Sequence, residues 1–186
     1  MPISPSLKPV ACVLLLAVTV LRGTAPAKTY EAIKGESTLA YVLKHPMHKV
    51  HGMTKDFECQ VELAPDTVSS SIRVKAKVKT FNSGNSNRDS HAMESIDALK
   101  FPTVEFASDS VRREGGGYTI HGRLTFHGKT RPVSFPVKHQ VKGNKVNITG
   151  GFAVKLSDFG VKRPSLLFVP TEDKLTIQFD LYSPVN

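Results

Sequence analysis

Residues 81–91 read FNSGNSNRDSH and mark a break in an otherwise strand-like sequence. They end a run in which apolar and polar residues alternate, and their small polar side chains are typical of a turn. Arg88, Asp89 and His91 then open a short segment with helical spacing. Because proline cannot continue a helix, the segment closes at Pro102, and the alternation resumes two residues later. The pattern predicts one helix inserted between strands, with a charged cluster that is either structural or the polar end of a site.

The inserted helix is predicted over residues 88–99. Ala92, Ile96 and Leu99 recur at helical spacing and would pack one face onto a sheet. Asn87 is placed to cap the first turn, since its side-chain oxygen can accept from a free backbone N–H.

Around this helix, period-2 alternation predicts about eight strands joined by short polar turns. Such spacing is typical of an antiparallel barrel or a sandwich, and an eight-stranded barrel is either filled by side chains or encloses one small ligand. The predicted strands cover residues 39–43, 57–63, 72–78, 104–106, 118–126, 133–141, 146–156 and 175–181.

Residues 1–27 have the pattern of a secretory signal peptide. Lys8 precedes a 12-residue apolar run, residues 10–21, and Ala25-Pro26-Ala27 offers small residues at a cleavage site after Ala27. The run is shorter than the roughly 20 residues that span a bilayer. The sequence therefore predicts a leader (1–27), one domain (28–186) and a periplasmic or secreted location.

The charge pattern favours no nucleic-acid partner. Removing residues 1–27 takes Lys8 and Arg22 and no acid, so the formal charge falls from +9 to +7. The remaining basic residues are scattered and lack interleaved aromatic side chains, although a transient contact with an anionic membrane surface fits the charge. The domain keeps one cysteine, Cys59, which is expected to be buried and otherwise offers a route to a homodimer.

Four segments stand out in order along the chain: the Asn87–His91 sequence NRDSH, the run LKFPTVEF at residues 99–106, the hairpin GRLTFHGKTRPV at 122–133, and DFGV at 158–161. Together they resemble the YceI-like family of exported, lipocalin-like proteins. The resemblance covers nearly all of residues 29–182. The first hairpin departs from the family pattern by its extra histidines, and the connection over residues 164–170 is unusually apolar.

The resemblance implies an all-β, eight-stranded antiparallel lipocalin-like barrel, with one short helix inserted between strands, around an apolar cavity. It further implies non-catalytic binding or transport of a lipid-like amphiphile: a polyisoprenoid, an isoprenoid quinone or a fatty amphiphile. No cofactor other than such a lipid is expected, and no catalytic motif is present. The expected ligand-binding residues are Leu39, Tyr41, Leu43, Phe57, Phe106, Leu124, Phe126, Phe135, Phe152 and Phe179 on the walls, with Arg88 and His91 near the mouth.

Two alternative functions compete with this interpretation. His45, His48 and His51 in the first hairpin would form a metal site if a turn gathered them, because residues three apart do not share one strand face. A filled barrel would instead make the protein a ligand-free structural component of the cell envelope. Arg88 and Asp89 are expected either to pin the start of the helix or to contact a ligand.

Overall fold

The computed structural model describes residues 28–63, 70–166 and 168–184. The predicted signal peptide lies outside the described residues. Within them, no helix is long and apolar enough to cross a membrane.

In the described part of the chain, ten strands form one antiparallel sheet and two short strands form a separate hairpin. The order across the large sheet is β1-β4-β5-β6-β7-β8-β9-β12-β2-β3. The strands are β1 (Lys28–Glu31), β2 (Thr38–His45), β3 (His48–Thr54), β4 (Phe57–Leu63), β5 (Ser71–Lys77), β6 (Thr103–Glu114), β7 (Gly117–Phe126), β8 (Lys129–Lys142), β9 (Lys145–Lys155), β10 (Ser165–Leu166), β11 (Val169–Pro170) and β12 (Lys174–Pro184).

The sheet curls into a half-barrel, so the expected fold class is confirmed: nearly all-β and antiparallel, with a single short helix in the described part of the chain. Strands β1 and β3 lie at its two edges. The gap between these two edges is called the seam below. Local contacts bridge it: Met53 of β3 and Asn82 exchange two backbone hydrogen bonds of 3.0 and 2.9 Å. At the other side, the Ile33 N–H donates to the Tyr182 carbonyl at 2.7 Å.

Eight of the ten strands in this sheet match the predicted ones; β1 and β3 are additional. The buried side of β3 carries Val50, Gly52 and Thr54, and only the first of these is a large apolar residue. Because β3 buries glycine and threonine, its alternation is too weak to detect. The turn that would have to gather the three histidines is therefore much shorter than the first hairpin, since His45 lies on β2 while His48 and His51 lie on β3.

The helix α1 spans Ser86–Ser95, and its bounds differ from the predicted residues 88–99. Its N-cap is Asn85, whose side chain accepts from the Arg88 N–H, and not Asn87. The helix stops early because Asp97 adopts a left-handed backbone, with φ of 52°. Leu99 is consequently fully exposed and does not pack on the sheet, whereas Ile96 does contact the core.

Cys59 lies inside the fold, in a buried cluster with Phe57 and Ala76. Its side chain is only 5% exposed, and burial raises the pKa of its thiol to about 11. A thiol that is neutral and inaccessible cannot link two folded copies of the chain, so this route to a homodimer is closed.

Cys59 in the chain from Lys28 onward should react with iodoacetamide at neutral pH only when the protein unfolds. The thiol ionises near 9.0 when exposed and near 11 when folded. Ionisation of the thiol therefore leaves the free energy of unfolding unchanged below pH 9. As the pH rises from 9 to 11, the unfolded state ionises first, and the free energy of unfolding falls by up to about 2–3 kcal/mol. Alkylation followed by mass spectrometry, with and without denaturant, tests this. Equal rates in both conditions would contradict the burial.

Candidate ligand cavity

The inside of the curled sheet encloses a cavity of about 830 Å³. Four phenylalanines on its wall form one cluster around Phe135. The Phe135 ring stacks on Phe152 at a centroid distance of 4.5 Å and lies 5.5 Å from Phe106 and 5.7 Å from Phe179. These rings come from β6, β8, β9 and β12, so the aromatic wall joins strands as far apart in sequence as β6 and β12.

The structure brings together eleven of the twelve residues expected at the site. They line the cavity as follows: Leu39, Tyr41 and Leu43 on β2; Phe106, Leu124, Phe126, Phe135, Phe152 and Phe179 on β6, β7, β8, β9 and β12; and Arg88 and His91 on α1.

Phe57 is the exception. Its side chain points to the apolar side of the sheet as its parity predicts, but it is 6% exposed and is not among the cavity-lining residues. It begins β4 next to the seam, where Ala76 and Phe81 pack around it. Parity predicts the face of a strand but not the position along it, so it cannot distinguish a residue on the cavity wall from one in a packed cluster, which is where Phe57 lies.

Other cavity-lining residues were absent from the expected set. The branched side chains of β5, β7, β9 and β12 have the correct parity and could have been found from it. They line the cavity together with the aromatic rings, and they include Ile72, Val74, Ile120, Ile148, Leu175 and Ile177. Lys162 and Arg163 carried no such signal, because they lie in an irregular connection.

Glycines in neighbouring strands lie beneath three of the aromatic rings. A Cβ atom at Gly52 would overlap the Tyr41 ring, and one at Gly150 would overlap Phe179. Gly122 has the same relation to Phe106, whose ring would come within 2.6 Å of the added atom. The rings can therefore lie over the adjacent strand, which leaves space in the centre of the curl.

The polar part of the lining comes largely from three segments. These are the turn between β2 and β3, the helix α1, and the connection from Lys162 to Thr171. Arg88, Lys162 and Arg163 supply positive charge, and Glu94 is an acidic residue on the same rim. Most of these side chains are exposed, which places the mouth of the cavity between the three segments. Such a rim can orient a polar or anionic head group, while the walls accept an apolar tail.

Arg88 and Asp89 both hold Ser83, and through it they pin the start of α1. The Arg88 guanidinium donates to the Ser83 hydroxyl at 2.9 Å and to the Ser83 carbonyl at 2.6 Å. The Asp89 carboxylate accepts from the Ser83 N–H at 3.1 Å and from its hydroxyl at 2.5 Å. The structure therefore shows the pinning role of Arg88. Arg88 also lines the cavity, and its contact with a ligand stays a prediction.

The hydrogen-bonded side chains of Ser83, Arg88 and Asp89 are called the clasp below. Two of them influence the ionisation of Tyr41, which lies on the cavity wall. Burial raises the pKa of its hydroxyl, and the nearby Asp89 carboxylate raises it further, while Arg88 acts in the opposite direction. The phenol therefore stays neutral and is available as a hydrogen-bond donor on the cavity wall.

The histidines of the first hairpin are not gathered into a metal site. His45 uses both ring nitrogens: Nδ1 accepts from the Met47 N–H at 3.2 Å, so Nε2 carries the proton and donates to the Val169 carbonyl at 2.9 Å. His51 lies on the face of β3 opposite to that of His48. Across the three described ranges, no three His, Cys, Asp or Glu side chains are close enough to hold a metal ion.

Comparison with known proteins identifies the family. The family model of the YceI-like domain matches residues 30–182, which is most of the chain. This protein belongs to the YceI-like family. A UPF0312 protein of Pseudomonas putida (strain F1) is 30% identical over 125 residues, which cover 62% of this chain and 65% of that protein. The chain thus spans about two thirds of the length of this relative.

Solved structures agree with the fold. Burkholderia cenocepacia BcnA aligns with a TM-score of 0.74 and 25% identity, over 81% of this chain and 98% of that one. A polyisoprenoid binding domain from Saccharophagus degradans, implicated in plant cell wall breakdown, aligns with a TM-score of 0.60 and 10% identity. That alignment covers 84% of this chain and 98% of the domain, and at this identity it shows the fold only.

Replacing Asp89 by Asn should loosen the clasp and lower the pKa of Tyr41. A neutral amide accepts more weakly from Ser83, so we expect a loss of about 1–3 kcal/mol in the free energy of unfolding. Removing the carboxylate also removes a charge that disfavours the tyrosinate. Denaturant unfolding and ultraviolet titration, with Tyr41→Phe to assign the signal, measure both effects.

Glu94→Gln is the control for this change. Glu94 lies on the same helix, is exposed, and pairs only with His91 in the described structure. If Glu94→Gln and Asp89→Asn shift the pKa of Tyr41 equally, the effect is not specific to the Asp89 carboxylate and the prediction is wrong.

Gly52→Ala should cost about 1–3 kcal/mol by forcing the Tyr41 ring from its place. In a Tyr41→Leu background the same substitution should cost much less, because the ring is absent. A double-mutant cycle of unfolding free energies measures this coupling. Additive costs would show that the ring and the glycine do not depend on each other.

Proposed function

We propose that this protein binds a lipid-like amphiphile in its cavity without chemical conversion. The ligand class is an isoprenoid or fatty chain with a polar head: a polyisoprenoid, an isoprenoid quinone or a fatty amphiphile. The observation that carries the proposal is the cavity of about 830 Å³, whose wall includes Phe135 and three further phenylalanines that contact its ring.

The size and polarity of the cavity support a sizeable apolar ligand. Small-molecule sites in proteins usually measure about 300–1,000 Å³, and this cavity of about 830 Å³ lies in the upper part of that range. Filled with water, it would hold roughly 28 molecules at the liquid volume of about 30 Å³ each. Those molecules would face aromatic and aliphatic walls, so replacing them by a hydrocarbon chain gains about 25 cal/mol per Å² of apolar surface removed from water.

The rim supports a head group at the mouth. Arg88, Lys162 and Arg163 can donate hydrogen bonds to phosphate, carboxylate or quinone oxygens. Tyr41 adds a neutral donor a short way inside the walls. This arrangement favours an amphiphile over a plain hydrocarbon, since a head group with acceptor oxygens would have partners at only one end of the cavity.

Family membership supports the same class of ligand, because one structural neighbour is described as a polyisoprenoid binding domain. The leader-like sequence of residues 1–27 supports export, and we infer a periplasmic or secreted location where a carrier for poorly soluble lipids would be useful. Amino-terminal sequencing of the exported protein checks the inferred cleavage after Ala27.

The test is to place one carboxylate inside the cavity and one just outside it. Ile177 lines the cavity, whereas its neighbour Gln178 is exposed. Ile177→Glu should weaken binding of a polyprenyl phosphate, a quinone or a fatty acid by about tenfold or more, because a charge in an apolar cavity is costly. Gln178→Glu adds the same charge on the same strand and should bind as the unmodified protein does.

Mass spectrometry of lipid extracted from the purified protein, with metal analysis of the same sample, complements the titration. Co-purified lipid in the unmodified protein and its loss in Ile177→Glu is the expected result. Because the chain has no tryptophan, Phe152→Trp supplies a fluorescence reporter in the wall, with Phe101→Trp, which is not a lining residue, as its control. Absence of both extracted lipid and any lipid-dependent signal would refute the proposal.

A further inference from the structure

Exposed apolar side chains lie in two hairpins that border the mouth of the cavity. Met47, in the turn between β2 and β3, is 68% exposed. Phe168 and Val169, in the β10–β11 hairpin, are 101% and 41% exposed. These three residues are called the apolar tip below. A fully exposed phenylalanine in a turn has no role in packing this chain, so the tip is a candidate interaction surface.

His45 holds the two parts of the apolar tip together. Its buried ring accepts from the Met47 N–H through Nδ1 and donates to the Val169 carbonyl through Nε2, at 3.2 and 2.9 Å. A second link joins the same segments, since the Glu172 N–H donates to the Lys44 carbonyl at 2.7 Å. The tip is therefore a built feature of the fold in which two turns project side by side.

Basic residues predominate in the two segments that carry the apolar tip. Segment 44–49 carries two lysines and no acid, and segment 162–174 carries three basic residues against two acids. One of the two acids, Asp173, is already engaged by the Ser157 hydroxyl at 2.6 Å. The basic residues are Lys44, Lys49, Lys162, Arg163 and Lys174.

We propose that the apolar tip inserts into the surface of an anionic lipid bilayer, with the flanking basic residues on the lipid head groups. Apolar and aromatic side chains surrounded by lysine and arginine are the combination that holds peripheral proteins at a membrane interface. The tip consists of two narrow turns and not of a broad flat face, whereas a stable protein partner needs about 800 Å² on each side.

Docking in this way sets the mouth of the cavity against the membrane. His45, Lys162, Arg163 and Thr171 line the cavity and belong to the same segments as the tip. A lipid would then pass between bilayer and cavity without crossing water. Membrane docking stands on the tip and its charges, whereas lipid exchange as its purpose rests on the proposed function.

The experiment is co-sedimentation of the chain from Lys28 onward with phosphatidylcholine vesicles, with and without phosphatidylglycerol. We expect binding to the anionic vesicles that weakens as salt is raised. Phe168→Ser and Met47→Ser should each reduce it, Phe168→Ser by about tenfold or more. Lys49→Gln with Lys162→Gln should reduce binding to anionic vesicles.

Val141→Ser is the matched control. Val141 has the same 68% exposure as Met47 but lies near the β8–β9 turn. That turn is at the opposite end of β12, beside Pro184, whereas Leu175 at the other end pairs with Leu43. Val141→Ser should bind vesicles as the unmodified protein does.

Three results would overturn docking: no sedimentation with anionic vesicles, equal losses for Val141→Ser and Phe168→Ser, or self-association that Phe168→Ser abolishes without any vesicle binding. Failure of the proposed function is seen separately. Ile177→Glu should dock normally while losing cavity binding, and Phe168→Ser should keep its affinity for a detergent-solubilised ligand.

Discussion

The contact of aromatic rings with glycines on neighbouring strands is the constraint on which the cavity depends. A curled sheet of this size would fill its own interior if large side chains pointed to the centre. Tyr41, Phe106 and Phe179 instead lie above Gly52, Gly122 and Gly150, where a Cβ atom would collide with the ring. The rings cover backbone that would otherwise be bare, and they build an apolar wall instead of a plug. Space for a ligand is thus obtained with the same side chains that stabilise the sheet.

The mouth depends on a second device, the placement of a short helix by a polar clasp. α1 has few large apolar residues, so packing gives it little stability, and Ser83 binds both Arg88 and Asp89 to compensate. The same arginine faces the cavity, and the same aspartate influences Tyr41. Stability of the helix and polarity of the rim are consequently coupled. Opposite the helix, His45 joins two turns, so each side of the mouth is held by side-chain hydrogen bonds to the backbone.

Alternation of apolar and polar residues predicted eight strands correctly, because each buries one face and exposes the other. It failed for β3, where Gly52 and Thr54 take buried positions, and for β1, a four-residue strand that is mostly exposed. Helical spacing predicted α1 but misplaced its ends: Asn85 is the cap, and the left-handed Asp97 releases Leu99 to solvent. Parity also assigned Phe57 to the wall, although the seam encloses it. The errors at α1 and Phe57 concern position along an element, which periodicity does not encode.

Residue patterns alone predict an antiparallel sheet with an apolar inner face and one inserted helix, and short motifs indicate the family. Both follow from local order, since strand periodicity and short motifs are properties of neighbouring residues. Whether the interior is a cavity or a packed core cannot be read from these patterns and depends on the three-dimensional arrangement of the strands. That outcome depends on which strand lies beside which, because a ring on β12 finds its glycine on β9. The placement of Met47 beside the hairpin of Phe168 and Val169 could likewise not be predicted from the sequence. It depends on the hydrogen bonds by which His45 links two segments that are distant along the chain.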